Sequence, residues 1–199
     1  MENKWVIEII NNEPRNYYCL DSLEGKIIYN KYVLVDKDKI NIKDITLYKL
    51  INGKLEIDSD KVRLREIEQL NTRKNLIKRI LHKLKTQYSE KEFVYKGKYL
   101  QKNRALGDRD NLNGVVTLLL ASKQTAYNGW KVFNTETKRY EFITLTVQEM
   151  VELGLMMNSY LAKALQVENI LLDRLETMTE EQMNKINFEK EYEKLWTTT

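Results

Sequence analysis

The chain has 199 residues, of which 42% are hydrophobic and 31% are charged, so it can form a packed core and is not intrinsically disordered. Seven glycines and one proline exclude collagen-like and low-complexity proteins and argue against a glycine-rich nucleotide-binding loop. One cysteine excludes an internal disulfide framework. No apolar run approaches about 18 residues, which predicts that no segment spans a membrane.

Charge is distributed unevenly along the chain. Residues 61–104 carry 14 basic and 4 acidic side chains, a net charge of +10, and both flanking regions are net acidic. A basic middle segment could bind nucleic acid, or it could be a solvated helix face that meets acidic surfaces within the same assembly. The second interpretation is favoured because no aromatic residues interleave the basic ones between positions 73 and 85.

Residues 1–58 are predicted to form a small β-rich docking module. Apolar and β-branched residues indicate strands over 5–10 and 27–35, and Pro14 is predicted to lie at a bend between them. Asn52-Gly53 separates two further apolar segments, and this dipeptide supplies the two positive φ values that a type I′ hairpin turn needs.

Residues 59–90 are predicted to form one long helix, capped by Ser59 or Asp60, which links the two ends of the chain. Its apolar residues recur at spacings of three and four, as in a coiled coil, with Lys74 as the one polar exception. This stripe predicts either self-association, giving a homo-oligomer, or packing against the chain's own domain. The predicted contact residues are Ile67, Leu70, Ile77, Leu81, Leu84 and Tyr88.

Residues 91–199 are predicted to form a mixed domain of hairpins and antiparallel helices. Hairpins are expected around Lys96-Gly97 and over 130–144, with a helix over roughly 111–123 capped by Asp108 or Asp110. Two capping boxes, which begin at Thr146 and Thr179, predict the starts of two further helices. The predicted fold class is therefore α+β, because no strand–helix–strand alternation indicates a parallel sheet.

The residues that usually perform catalysis are scarce. The single histidine, His82, lies among lysines and arginines, and it is distant in sequence from the single cysteine, Cys19. These two residues cannot supply a zinc site, and no serine lies in a nucleophile motif. We therefore predict a protein that is not an enzyme and that has no metal and no cofactor.

Aromatic residues concentrate around the predicted hairpin at 130–144. Tyrosine and tryptophan are favoured at protein interfaces because they bury a large area at little cost in side-chain entropy. These residues could form the core of the hairpin, or they could form an exposed surface that binds a partner. The predicted partner-binding residues are Tyr127, Trp130, Phe133 and Tyr140.

The order of features from about residue 62 to 176 resembles an uncharacterised domain family that is common in bacteriophage and prophage tail genes. The stretches that carry the resemblance are 76–88, 93–101, 109–115, the hairpin around Trp130, 142–146, and the residues Glu149, Met150, Leu153 and Gly154. Residues 48–55 also look like linkers found upstream of that domain. The resemblance brings no catalytic residues.

The resemblance implies a structural component of a phage tail or phage-tail-like particle, a baseplate or tail-fibre protein made in the cytoplasm of the bacterial host. Its implied partners are other tail, baseplate or fibre proteins. A tail-fibre assembly chaperone is the alternative function, and an enzyme that acts on the cell wall is a distant third. Nucleic acid is not an expected partner.

Overall fold

The computed structural model describes residues 3–20 and 31–198. The chain has the predicted α+β class, with long helices and antiparallel strands. It divides into two compact units, residues 1–71 and 72–199. The long helix predicted over 59–90 is therefore shared between the units, whereas the sequence suggested three regions, 1–58, 59–90 and 91–199. None of the described helices is long and apolar enough to cross a membrane.

The first unit contains a three-stranded antiparallel sheet with strand order β2-β1-β3. Its strands are β1 (Lys4–Ile10), β2 (Glu13–Cys19) and β3 (Lys31–Asp36). Strand β3 overlaps the segment predicted over 27–35 and continues one residue beyond it, to Asp36; residues 27–30 are outside the described residues.

The prediction for Pro14 is wrong. The turn between β1 and β2 is made by Asn11 and Asn12, which both adopt positive φ, and Pro14 lies inside β2. Strand β2 is at the edge of its sheet, where a residue without an N–H is tolerated. Moreover, the register shifts between Glu8 and Ile9, and Ile9 pairs with Pro14.

The predicted Asn-Gly hairpin is confirmed as strands β4 (Tyr48–Ile51) and β5 (Lys54–Ile57). Asn52 and Gly53 adopt φ values of +49° and +78°, as a type I′ turn requires. A 3-10 helix (Ile42–Leu47), which the sequence did not indicate, precedes it. The core of this unit is built mainly from isoleucines: Ile7, Ile9, Ile40 and Ile45.

Helix α1 (Ser59–Ser89) confirms the predicted long helix. Its cap differs from the prediction, because the carboxylate of Asp58 accepts a hydrogen bond from the backbone N–H of Asp60 at 3.1 Å. Asp58 therefore caps the helix in place of Ser59 or Asp60.

The second unit contains a four-stranded antiparallel sheet with strand order β6-β7-β8-β9. The two predicted hairpins are confirmed, and the second is longer than expected. The strands are β6 (Phe93–Tyr95), β7 (Tyr99–Gln101), β8 (Ala126–Asn134) and β9 (Arg139–Thr146). Lys96 and Gly97 form the first turn with φ values of +48° and +74°.

Helices α2 (Asp110–Ser122) and α3 (Val147–Thr177) contribute buried side chains to the core of this sheet. Both halves of the predicted capping box are present at the start of α3: the Thr146 side chain accepts from the Glu149 N–H, and the Glu149 carboxylate accepts from the Thr146 N–H. The two helices approach closely at Gly154, where a Cβ would lie 2.9 Å from Leu112 Cδ2.

The predicted last helix is two helices, α4 (Glu180–Lys185) and α5 (Phe188–Thr198). The capping box at Thr179 and Gln182 is confirmed, but α4 ends before Ile186. Asn187 then accepts a hydrogen bond from the Lys190 N–H at 3.0 Å, as in a new helix cap. The Tyr192 hydroxyl joins α5 to α3 by donating to the Ala164 carbonyl at 2.8 Å.

The apolar stripe of α1 divides into two parts. Ile77, Leu81 and Leu84 are buried within the second unit, and the Tyr88 ring packs at a tilt against the Tyr192 ring, with 4.9 Å between ring centroids. The sequence left two alternatives for the stripe, self-association or packing against the chain's own domain. These four residues pack against the chain's own helices. Ile67 is 45% exposed. Self-association therefore stays a prediction for the N-terminal part of the stripe, Ile67 and the partly buried Leu70.

Basic residues of α1 in this unit meet acidic residues of α3. Lys78 lies 2.6 Å from the carboxylate of Glu176, and Lys85 lies 3.6 Å from that of Glu168. Lys74, the polar exception in the stripe, donates to the Glu176 carbonyl at 2.6 Å. A lysine is favourable there because the carbonyls in the last turn of a helix carry partial negative charge.

Candidate functional site

A cleft of about 640 Å³ lies in the second unit, beside strand β8. Helix α2 forms its floor through Asn111, Gly114, Val115 and Leu118. The end of β7 and the segment that follows it form the opposite wall. All four predicted partner-binding residues line this cleft: Tyr127, Trp130, Phe133 and Tyr140.

The cleft runs along an edge of β8. Side chains alternate across a strand, so Trp130 and Lys131 lie on opposite faces of the sheet, yet both line the cleft. Strand β9 occupies one edge of β8 over its whole length, from Ala126 to Asn134. The cleft must therefore follow the other edge of β8, where β7 and β8 separate and the sheet is split.

The split arises because β7 is short. Within the part of the chain that the structure describes, β7 pairs with β8 only at Tyr99–Asn134 and Leu100–Phe133. From Ala126 to Val132, β8 has a partner strand on the β9 side alone, and we call this stretch the open edge of β8. A β-bulge at Gly129, which has a φ of +113°, interrupts it.

The four aromatic residues differ in exposure, so only part of the group belongs to the core. Trp130 is 7% exposed and belongs to the core, and its indole N–H donates to the Gln101 side chain at 2.9 Å across the split. Tyr127 and Phe133 are half-buried. Tyr140 is 55% exposed, and its ring packs edge-on against Phe133 at 5.3 Å.

Charged groups lie at the rim of the cleft. Lys131 extends over the Tyr140 ring, with its ammonium 4.6 Å from the ring centroid. Arg104 contacts the Asp108 carboxylate through its backbone N–H at 2.9 Å and its Nε at 2.8 Å. Burial alone would raise the pKa of Asp108, but the hydrogen bonds and charge of Arg104 outweigh it and hold the pKa below the ordinary value of 3.8.

These contacts correct the predicted cap of α2. Neither Asp108 nor Asp110 caps the helix, because the residue at the cap position is Arg109 and its side chain makes no capping bond. Asp108 lies instead within an irregular π-helical turn (Ala105–Arg109), in which Gly107 adopts a φ of +110°. This turn brings the Asp108 carboxylate back to Arg104.

The lining of the cleft is mixed. It offers aromatic and aliphatic surface, two lysines, the carboxylate of Asp110, and the carboxylate of Asp108, which is bound to Arg104. His82 lies on α1 and Cys19 ends β2, so neither lines the cleft. Among the described residues, no group of three or more histidine, cysteine, aspartate or glutamate side chains is placed to hold a metal ion.

Several cleft residues had no indication in the sequence. Arg104 and Asp108 belong to the turn before α2, Gly114 and Leu118 lie on α2, and Gly129 lies on β8, and the tertiary fold brings these three elements together at the cleft. The isolated Gly114 inside an otherwise apolar helix was the one available hint, because such a glycine costs about 1 kcal/mol relative to alanine.

Comparison with known proteins gives no match for this chain among protein-family models, curated proteins or solved structures.

Proposed function

We propose that this chain is a non-catalytic structural component of a phage tail or phage-tail-like particle, and that its cleft binds another tail, baseplate or fibre protein. One observation supports the binding role above all others. The four residues chosen from the sequence as a partner surface, Tyr127, Trp130, Phe133 and Tyr140, line a single cleft.

The composition of the cleft supports a protein partner. Interface centres are enriched in tyrosine, tryptophan, phenylalanine and arginine, and their rims are polar. Here aromatic side chains lie beside the apolar floor made by Val115 and Leu118, and Arg104, Lys102 and Lys131 lie around it.

The assignment to a phage tail rests on the sequence resemblance over residues 62–176. The stretches that carry it include the first part of α2 (residues 110–115), both hairpins of the second unit and the start of α3, and these elements build and support the cleft. If the resemblance reflects a shared role, the cleft belongs to the part of the chain that performs it.

The proposal is tested by mass spectrometry of intact particles purified from the organism that carries the gene. We expect the native chain to be present and the Tyr140→Ala variant to be depleted at least about tenfold, because aromatic anchors carry much of the binding energy of an interface. Phe142→Ala is the matched control. Phe142 is 71% exposed on the same strand and the same face, but it does not line the cleft.

Absence of the native chain from purified particles would contradict the proposal. If the chain instead bound the fibre protein during its folding and then left, the assembly chaperone would be the better description. Equal depletion of the Tyr140→Ala and Phe142→Ala variants would show that the cleft is not the contact.

A further inference from the structure

We propose that the cleft takes an extended peptide segment of the partner protein, which adds to the open edge of β8 as an extra antiparallel or parallel strand. This inference rests on the proposed function for the identity of the partner. It adds the conformation in which the partner segment binds: the segment binds as a β-strand and not as a helix or a folded surface.

The backbone of β8 provides the first reason. A strand directs its N–H and C=O groups alternately to its two sides, so about half of these groups from Ala126 to Val132 point away from β9. None of the described residues accepts from or donates to them on the cleft side. An incoming extended chain could satisfy them, as in other cases of β-strand addition.

Space for an incoming backbone provides the second reason. A Cβ built on Gly114 in the floor, or on Gly129 in β8, would have no atom within 4 Å. Gly114 is in the interior of α2 with no positive φ, so neither packing nor backbone geometry within this chain requires a glycine there. Alanine would be the more stable residue by about 1 kcal/mol. The absence of a side chain keeps the floor of the cleft open.

The lining of the cleft indicates the side chains of the occupant. Residues of a bound strand alternate, so every second side chain would face Leu118 and Trp130 on the inner side. Arg104 and Asp108 compensate each other, and among the described residues Lys102 and Lys131 form no ion pair. Asp110 also lines the cleft and offsets one of these two charges, which leaves the lining with a net charge of +1. The best occupant is therefore a segment with alternating apolar residues and at least one carboxylate.

The outer edge of β9 offers less. Among the described residues it too has no partner strand from Arg139 to Thr146, but of its residues only Tyr140 lines the cleft. The β8 edge is recessed between α2 and the segment after β7, which supplies walls for side chains. The walls beside the β8 edge contact the side chains of a bound strand, so this edge can bind some peptide sequences in preference to others. An edge without walls forms backbone hydrogen bonds with any extended chain.

The test selects ligands from a library of random 12-residue peptides against the purified full chain. We expect enriched peptides with alternating apolar residues, and we expect N-methylation of alternate backbone amides in a selected peptide to weaken its binding about tenfold or more. Bound peptide is expected to slow amide hydrogen exchange over residues 126–133. These readouts do not use particles, so they can fail or succeed independently of the particle experiment.

Two variants test whether the selected peptide binds in the cleft. Gly114→Leu should weaken binding about tenfold or more by filling the floor. Leu118→Ala should also weaken it, whereas its matched control, Leu120→Ala, should not. Leu118 and Leu120 are both 63% exposed on α2, and only Leu118 lines this cleft.

Four outcomes would overturn the proposal: no enriched peptide, N-methylated peptides that bind unchanged, protection along 139–146 in place of 126–133, or equal effects of the Leu118→Ala and Leu120→Ala variants. A native chain that is dimeric by light scattering, and that Leu118→Ala converts to a monomer, would assign the cleft to a second copy of this chain instead.

Discussion

Two glycines in the helices of the second unit, Gly114 and Gly154, have opposite surroundings. A Cβ on Gly114 meets open space, whereas a Cβ on Gly154 would lie 2.9 Å from the buried side chain of Leu112. The same substitution should therefore have different effects at the two positions, although helix propensity alone favours alanine at both.

We expect Gly114→Ala to raise the free energy of unfolding by about 0.5–1 kcal/mol, because alanine loses less backbone entropy in a helix. Gly154→Ala should gain less than this, because its new methyl group forces the end of the Leu112 side chain to shift. Urea denaturation of both variants measures the difference. An equal gain in the two variants would show that Leu112 shifts without cost.

The depressed pKa of Asp108 predicts a contribution to stability that depends on pH. A carboxylate whose pKa is lower in the folded protein stabilises the fold above its unfolded value of about 3.8 and loses that contribution as the pH falls through the folded value. Asp108→Asn should cost about 1 kcal/mol at pH 6 and progressively less below pH 4. Urea unfolding at several pH values tests this. An equal cost at every pH would rule out the charge of Asp108 as the cause.

At the scale of single residues, the sequence predicted the aromatic members of the cleft but not its polar members. Aromatic residues bracket a hairpin whose strands could be recognised, so Tyr127 and Tyr140 were identifiable as a pair of candidates. The contact between Arg104 and Asp108 depends on an irregular turn with a positive φ at Gly107, and no periodic pattern encodes such a turn.

At the scale of elements, α1 has a stripe whose C-terminal half is buried and whose N-terminal half is exposed. Ile77 and Leu81 are at most 2% exposed. Leu64 and Ile67 are exposed on the same helix, in the first unit. A homo-oligomer, if it forms through this helix, must use the exposed half.

We therefore expect replacement of Leu64 and Ile67 by aspartate to reduce the oligomer to a monomer in light scattering, with helicity by circular dichroism unchanged. These side chains pack against little within the chain, so the substitutions should leave its fold intact. An unchanged mass would contradict self-association through α1.

Leu81→Ala serves as the contrasting variant on the same helix. Because Leu81 is fully buried, we expect this change to lower the free energy of unfolding by about 2–5 kcal/mol, whatever the oligomeric state. A loss of mass without a loss of stability would mean that Leu81 contacts a second copy.

Helix and hairpin boundaries followed from the sequence where a local motif encodes them. The capping boxes at Thr146 and Thr179 and the turns at Asn52-Gly53 and Lys96-Gly97 are all present. The break between α4 and α5 was missed because the apolar spacing continues across it, and the cap at Asn187 has no capping-box partner three residues later.

At the scale of the whole molecule, each unit has its own buried cluster. Ile7 and Ile45 belong to the first unit, and Leu153 and Met157 belong to the second. The sequence predicted the α+β class, but it suggested three regions that were separated by type of secondary structure. It could not show that a single helix, α1, would contribute residues to both compact units.

Core substitutions should therefore act mainly within their own unit. We expect Leu171→Ala to speed amide hydrogen exchange in the described helices and strands of residues 93–198, and to change exchange in β1 and β2 little. Ile7→Ala should give the reverse pattern. Equal acceleration in both units by either variant would indicate one cooperative unfolding unit.

Thr146 is at once the last residue of β9 and the cap of α3, so no linker separates the strand from the 31-residue helix. The Glu149 carboxylate binds both Thr146 and Lys96, which ties the β6–β7 turn to the same point. The first turn of α3 is therefore held to both hairpins of the four-stranded sheet. We expect a force applied to β9 to reach this turn directly, because the strand and the helix share Thr146.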